Sequence, residues 1–316
     1  MAAGASPGAV LRRMKVRHLA AYLRERFPPV NMALFVVLFA TVRAVASLAG
    51  VPGRGDPRPD GPALAALGAL ATVSFFFRLR VFDEEKDFDL DLQNHPGRVL
   101  QTGRVTLGQL RALAWAGAGL EAGWSALRGP GPLLLWALAL AYSLAMRAEF
   151  GVGRWLRGRL VLYALTHMLI MPLVITWLFS AYSGLIAGTP YLGLLLLLSL
   201  LGGFSFELAR KLHAPAAEQA GVDSYSQALG YGWALALTVA VLLASGAVQA
   251  LLLRLLHARP PAYAALALLL AAGLALYAVA GRRPHEPRLR QAEKVVSLVM
   301  LTSYLAVLAE VYRLGN

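Results

Sequence analysis

Long apolar runs separated by short polar joints recur along the chain and set the expected architecture. They fall at about residues 31–50, 62–82, 107–127, 131–148, 158–181, 189–210, 227–254, 261–281 and 292–312. Each is long enough for a helix to cross a hydrocarbon layer about 30 Å thick, which takes roughly 20 residues. The joints at Pro52-Gly53, Gly129-Pro130-Gly131-Pro132, Gly188-Thr-Pro190 and Pro260-Pro261 carry residues that turn a chain between antiparallel neighbours. The pattern predicts an all-α integral membrane protein of about nine transmembrane helices. Residues 1–28 read as a basic N-terminal segment, helical over Lys15 to Phe27 at the membrane surface. Residues 29–316 read as a single transmembrane domain in two loose halves, about 29–150 and 151–316.

Composition agrees with that setting. Of 316 residues, 58% are hydrophobic and 15% charged, a balance few soluble domains have. A net charge of +13 would suit nucleic acid, but the basic residues lie in short loops between apolar runs, where they set topology. No nucleic-acid partner is therefore expected. There is no cysteine, which excludes disulfides and thiolate chemistry. Arg12, Arg13, Lys15, Arg17, Arg24 and Arg26 precede the first long apolar run, and no short apolar core with a cleavage site is present, so no cleaved signal peptide is expected.

Loop charge orients the bundle. The basic segments are the N-terminus, residues 78–106, Arg147 to Arg159, Arg210/Lys211, and Arg282 to Lys294. They alternate with weakly charged loops near 51–61, 128–132, 182–190 and 255–260, although Arg254, His257 and Arg259 run against the trend. The positive-inside rule then places the N-terminus in the cytoplasm and the C-terminus outside.

The most informative stretch follows the second apolar run: Arg80-Val-Phe-Asp-Glu-Glu-Lys-Asp-Phe-Asp-Leu-Asp91. If the helix continues, Asp83, Asp87 and Asp91 recur at i, i+4 and i+8, and each step turns roughly 40° beyond a full turn, so the three share a face. Glu84 flanks that face. Four acids so close repel one another unless cations are shared among them. Mg²⁺ accepts one or two carboxylates and completes its octahedron with water and phosphate oxygens, so the pattern suits a metal–diphosphate site. Carboxylates in register at the end of an apolar helix favour that reading over an ordinary polar helix end.

A second charged island ends the sixth run. Glu207 and Lys211 are four apart, Arg210 lies beside them, and Glu218 and Asp223 follow Pro215. The Glu207–Lys211 pair reads either as a helix-stabilising pair worth a few tenths of a kcal/mol or as part of a site carrying both signs of charge. Aromatic residues flank both islands, among them Phe76, Phe82, Phe204 and Tyr225, and Tyr163 and His167 share a face of the fifth run. These six are the candidate pocket-lining residues.

Asp83-Glu-Glu-Lys-Asp87-Phe-Asp-Leu-Asp91 resembles the first aspartate-rich motif, N-D-x-x-D-x-x-x-D, of the UbiA superfamily of intramembrane prenyltransferases. Gly97-Arg-Val-Leu-Gln-Thr-Gly-Arg-Val-Thr106 is similar to the family's N-R-P-L-x-S-G-x-V-T stretch. About nine helices, with charged motifs after the second and sixth, match the family's plan over nearly the whole chain. The resemblance implies a UbiA-like bundle whose central apolar pocket opens to the cytoplasmic side. By it, Asp83 and Glu84 take the Asn-Asp positions, Asp87 and Asp91 the later aspartates, and Arg98 the arginine that contacts diphosphate. The family's second motif is D-x-x-x-D followed by a glycine loop; here the pair is Glu207 and Lys211, and the nearest match to the loop is Gly221-Val-Asp-Ser224.

The resemblance therefore implies Mg²⁺ as cofactor, with ligands drawn from Asp83, Glu84, Asp87, Asp91, Glu207, Glu218 and Asp223. Arg98, Arg210 and Lys211 would grip diphosphate, and Asp83, Asp87 and Lys211 carry catalysis. The substrate would be an isoprenyl diphosphate within membrane lipid. An allylic C–O bond ionises when the departing diphosphate is stabilised by metal and basic groups, and the cation survives in a dry, aromatic chamber. Transfer of the prenyl group to an acceptor is the first expectation. Intramolecular capture, as in a UbiA-type terpene cyclase, stands close behind it. A cation transporter is a third reading, but transporter acids sit near the bilayer midplane in interrupted helices.

Overall fold

The computed structural model describes residues 15–50, 61–183, 189–219 and 223–315. Every regular element among them is helical. In chain order these are α1 (Val16–Arg26), α2 (Pro29–Ala49), α3 (Pro62–Asn94), α4 (Leu107–Arg128), α5 (Pro130–Arg147), α6 (Gly153–Arg157) and α7 (Leu160–Met168). They continue as α8 (Ile170–Ser183), α9 (Pro190–Arg210), α10 (Tyr225–Leu229), α11 (Tyr231–Leu255), α12 (Pro260–Arg282) and α13 (Glu286–Gly315). Single 3-10 turns occupy Glu149–Gly151 and Pro215–Ala217. The expected joints at Pro52-Gly53 and Gly188, and Gly221 of the expected glycine loop, lie outside the described residues.

Helix bounds follow local chemistry. Proline opens α3, α9 and α12, where its missing N–H is one that a helix start leaves unbonded anyway. Thr106 and Gln109 form a reciprocal capping box at the start of α4. Gly129 joins α4 to α5 with φ 119°, a conformation from which a Cβ would be excluded. The fifth apolar run divides into α7 and α8 at Leu169. Pro172 accounts for the break: it has no N–H for the carbonyl of Met168, and its ring crowds that carbonyl.

Each of the nine expected runs is helical. Among the described residues, seven helical stretches are long and apolar enough to cross a membrane: α2, α3, the α7–α8 pair, α9, α11, α12 and α13. α4 carries Arg111, Glu121 and Arg128, and α5 has only 18 residues. The protein is an all-helical, multi-pass membrane protein. Exposed leucines such as Leu134, Leu251 and Leu268 fit a chain whose solvent is lipid.

Two compact units are present. Among the described residues, one comprises 15–40 and 61–147, the other 41–50 and 148–315. In the first, Gly68 lets α3 approach Phe39 and Trp124 closely; a Cβ there would stand 2.7 Å from both rings. Phe27, Phe35, Phe76 and Phe77 form a run of ring contacts in the same unit. The core of the second gathers Phe204, Leu208, Tyr225, Leu242, Tyr277 and Val296. With lipid as apolar as leucine, close packing and hydrogen bonds between helices hold such units. Trp124 donates to the carbonyl of Leu64 in the first unit, and Thr41 to that of Tyr304 in the second.

Candidate functional site

α3 runs unbroken to Asn94, so the acid-rich stretch is the last three turns of a 33-residue helix. Its register places Asp83, Asp87 and Asp91 along one side, but their surroundings differ. Asp83 and Asp87 are exposed; Asp83 lies 3.9 Å from Arg80, and Asp87 makes no ion pair among the described residues. Glu84 is buried, and its Oε1 accepts from Arg26 Nε at 2.6 Å and from Arg80 Nη2 at 2.6 Å. Asp91 accepts from Arg98 Nη1 at 2.6 Å and Arg26 Nη2 at 3.0 Å. The motif thus separates into two exposed carboxylates and two held by arginines.

The basic N-terminal helix supplies part of that hold. α1 ends with Arg26 against α3, Glu25 accepts from the backbone N–H of Val99, and His18 bonds the carbonyl of Arg104. Tyr22 is fully buried beneath these contacts. α1 therefore packs on α3 and on the 95–106 loop, a tertiary role that its amphipathic pattern alone does not specify. On the other flank of the motif, Glu85 pairs with Arg111 and with Arg147 at 2.7 Å, and Arg147 lies over the Phe82 ring at 5.2 Å. Phe76 is stacked on Phe35 at 3.9 Å.

One turn deeper, Arg78 and Glu121 form a fully buried ion pair. Arg78 Nη1 lies 2.7 Å from each carboxylate oxygen, Ser74 and Trp136 donate to the same carboxylate, and the guanidinium sits 4.6 Å over Phe75. This network ties α3, α4 and α5 together. The residues were visible in the sequence; their pairing across 43 positions was not.

The second island is built within α9 and its exit loop. Glu207 holds both Arg210 (2.6 Å) and Lys211 (3.1 Å), so the helical pair expected there forms and takes in Arg210 as well. Glu218 accepts from Ser224 and Gln227, organising the short α10. Burial alone would raise the Glu218 carboxyl, but hydrogen bonds from Ser226, Ser224 and Gln227 outweigh it and hold the group below its usual range. Asp223 is exposed. Tyr225 is buried, and its hydroxyl is pushed above the usual tyrosine range by burial first and by Glu207 second. Two residues not anticipated from the sequence secure this loop. Glu286 accepts from the N–H of Ala214 and lies 2.9 Å from His213 Nδ1, and Arg290 donates to the carbonyls of Arg210 and Leu212.

Phe204 lies in the core of its unit. Tyr163 and His167 are stacked at 4.0 Å, and His167 Nδ1 lies 2.8 Å from the carbonyl of Tyr163. The two side chains are thus linked by ring contact, and the imidazole is anchored to backbone.

Among the described residues, no three carboxylate or histidine groups converge closely enough to form a metal cage. What the acid face offers is a pair of exposed carboxylates one turn apart, Asp83 and Asp87, beside arginines. Mg²⁺ needs only one or two protein carboxylates when phosphate supplies other ligands, so this pair fits it.

No protein-family model matches the chain, and no curated protein sequence does. Solved structures do. A digeranylgeranylglyceryl phosphate synthase superposes with TM-score 0.67 at 14% identity, over 94% of this chain and 100% of that one. An apo UbiA homologue from Aeropyrum pernix K1 gives 0.64 at 21%, over 87% and 96%. A UbiA homologue from Archaeoglobus fulgidus bound to GPP and Mg²⁺ gives 0.54 at 15%, over 91% and 99%. At these identities the likeness is one of fold, and it spans nearly the whole of each chain.

Proposed function

We propose that this chain, which has the fold of the UbiA homologues, ionises an allylic isoprenyl diphosphate in the presence of Mg²⁺ and passes the prenyl group to an acceptor. The observation that carries the reading is the exposed Asp83–Asp87 pair on the far end of α3, flanked by arginine-held Glu84 and Asp91. A protein of the same fold binds GPP and Mg²⁺, which supports the same substrate and ion here.

In this reading Asp83 and Asp87 hold the ion, and Mg²⁺ when bound supplies Lewis-acid charge to the leaving group. Arg98 stands 2.6 Å from Asp91 and presents a planar donor fork suited equally to carboxylate and phosphate. Arg80, held by Glu84, keeps positive charge beside Asp83. The reaction breaks the allylic C–O bond, with the electron pair leaving on diphosphate. A new bond then forms between the allylic carbon and the acceptor, which gives up a proton.

The test is diphosphate release from geranyl diphosphate by purified protein in detergent with Mg²⁺. Asp87→Asn should abolish release while leaving the unfolding temperature unchanged, because Asp87 is exposed and supports no ion pair among the described residues. Retained turnover would remove the acid face from the mechanism. Extraction of products separates transfer, which needs an added acceptor, from cyclisation, which yields hydrocarbon without one.

A further inference from the structure

Between α5 and α7 the chain makes a tight excursion that the prenyl chemistry does not use. Glu149, Phe150 and Gly151 are consecutive left-handed residues, with φ 48°, 54° and 71°. Two of the three are not glycine, and residues with a Cβ keep such backbone only where the surroundings enforce it. They do so here. Phe150 packs edge-on against His167, and Glu149 accepts from Arg157 Nε and Nη2, both at 3.0 Å. Gly153 leaves room for the Glu149 carboxylate, which would have to shift from a Cβ placed 2.0 Å away.

The excursion encloses an open cavity of about 470 Å³, lined by Glu149, Gly151, Gly153, Arg154, Trp155 and Arg157 among others. Arg157 is fixed by Glu149 yet 63% exposed, and Arg154 is exposed and in no ion pair among the described residues. Trp155 is half exposed, with the Arg159 guanidinium 4.2 Å over its ring. The segment directly precedes the membrane-crossing stretch Leu160–Ser183. A half-exposed tryptophan at the start of such a stretch is an interfacial anchor, and arginines beside it meet the phosphates of anionic lipid.

We infer that the 148–159 excursion is a binding site for the phosphate headgroup of an anionic phospholipid, with Arg154 and Arg157 as its cationic ligands and Trp155 resting at the acyl boundary. Charge complementarity selects the occupant. The concavity is lined by two arginines and one carboxylate, Glu149, which Arg157 already pairs, so it is net positive at a membrane boundary, and its shape is set by enforced backbone and not by a flexible arm. A lipid phosphate and a free phosphate share this chemistry; the neighbouring tryptophan favours the lipid, whose chains give the indole an apolar surface.

The experiment titrates phosphatidylglycerol, phosphatidylcholine, inorganic phosphate and diphosphate into the purified full-length protein in neutral detergent. Bound lipid is counted by native mass spectrometry. Wild-type protein should retain phosphatidylglycerol over phosphatidylcholine, with retention falling as salt rises. Arg154→Gln should weaken phosphatidylglycerol at least about tenfold, the lower bound for a lost charge-assisted contact. Arg254→Gln, which removes an exposed arginine from another segment, should change it little. Arg154 is exposed and in no ion pair among the described residues, so its replacement should leave the fold intact, and a melting curve checks this. Arg157→Lys, which keeps charge but loses the fork to Glu149, provides a second reading in the same direction. Equal weakening by Arg154→Gln and Arg254→Gln would reduce the effect to diffuse surface attraction and overturn the site. Equal competition by inorganic phosphate or diphosphate would overturn a lipid occupant, as would the absence of any preference between the two lipids.

Discussion

Arg26 Nε lies 2.6 Å from Oε1 of Glu84, a carboxylate only 1% exposed, and the same guanidinium reaches Asp91 on the same α3 face. The basic N-terminal helix is thereby joined to the acid motif.

Replacing Arg26 by alanine should loosen α1 without freeing Glu84 entirely, because Arg80 remains. A lost charge-assisted hydrogen bond is worth roughly 1.5–3 kcal/mol, and thermal unfolding in detergent should fall accordingly. Combined with Glu84→Gln, the two changes should couple and not add. An unchanged melting curve for Arg26→Ala would detach α1 from the stability of α3.

The Arg78–Glu121 pair should respond differently. Glu121→Gln strands a guanidinium with no exposed surface, and breaking a buried pair by removing one partner costs about 3–5 kcal/mol. Arg78→Met with Glu121→Met removes both charges and should be less damaging than either single change. If the double replacement proves worse than both singles, the pair contributes more than charge compensation. Gly117→Ala tests the same network gently: its Cβ would stand 2.1 Å from Ser74 Oγ, displacing one donor to Glu121 at a cost of about 1 kcal/mol.

Lys211 and Glu207 separate a helix pair from a diphosphate contact. Lys211→Ala should weaken diphosphate handling about ten- to a hundredfold if its charge meets phosphate. Excess Mg²⁺ should partly rescue Glu207→Gln if that carboxylate is a metal ligand, and should not rescue Lys211→Ala. Wild-type behaviour of Lys211→Ala at limiting substrate would leave Glu207 holding Arg210 and Lys211 as a surface cluster only.

Topology is tested with the cysteine-free chain as background. Single cysteines at Gln93 and Gln219, both exposed beside the two islands, should react with an impermeant reagent from the cytoplasmic side only. Labelling from opposite sides would overturn the orientation inferred from loop charge.

The helices were legible because apolar periodicity is a local property. The continuation of α3 past Phe82 was likewise readable from the spacing of Asp83, Asp87 and Asp91. The break at Leu169 was readable in principle, since Pro172 announces it, but a continuous apolar run masked the signal. What local pattern does not hold is the choice of partner. Nothing near Glu84 names Arg26, 58 residues away, and nothing near His213 names Glu286, 73 residues away. The division of four acids into an exposed pair and an arginine-bound pair follows from those distant partners. Similarly, Glu149 and Phe150 carry no turn signature, because their left-handed backbone is imposed by Arg157 and His167.

The length of α3 has its own consequence. Thirty-three residues at about 1.5 Å each span about 50 Å, against about 30 Å of hydrocarbon. With the hydrocarbon layer beginning at Pro62, roughly 20 Å of helix extends beyond it into the headgroup and aqueous layers, and the carboxylates of Asp83 and Asp87 fall in that part. A phosphate-bearing ligand that meets them keeps its charged end wet while its hydrocarbon tail stays in lipid. The large penalty for drawing multiple negative charges into an apolar medium is then never incurred.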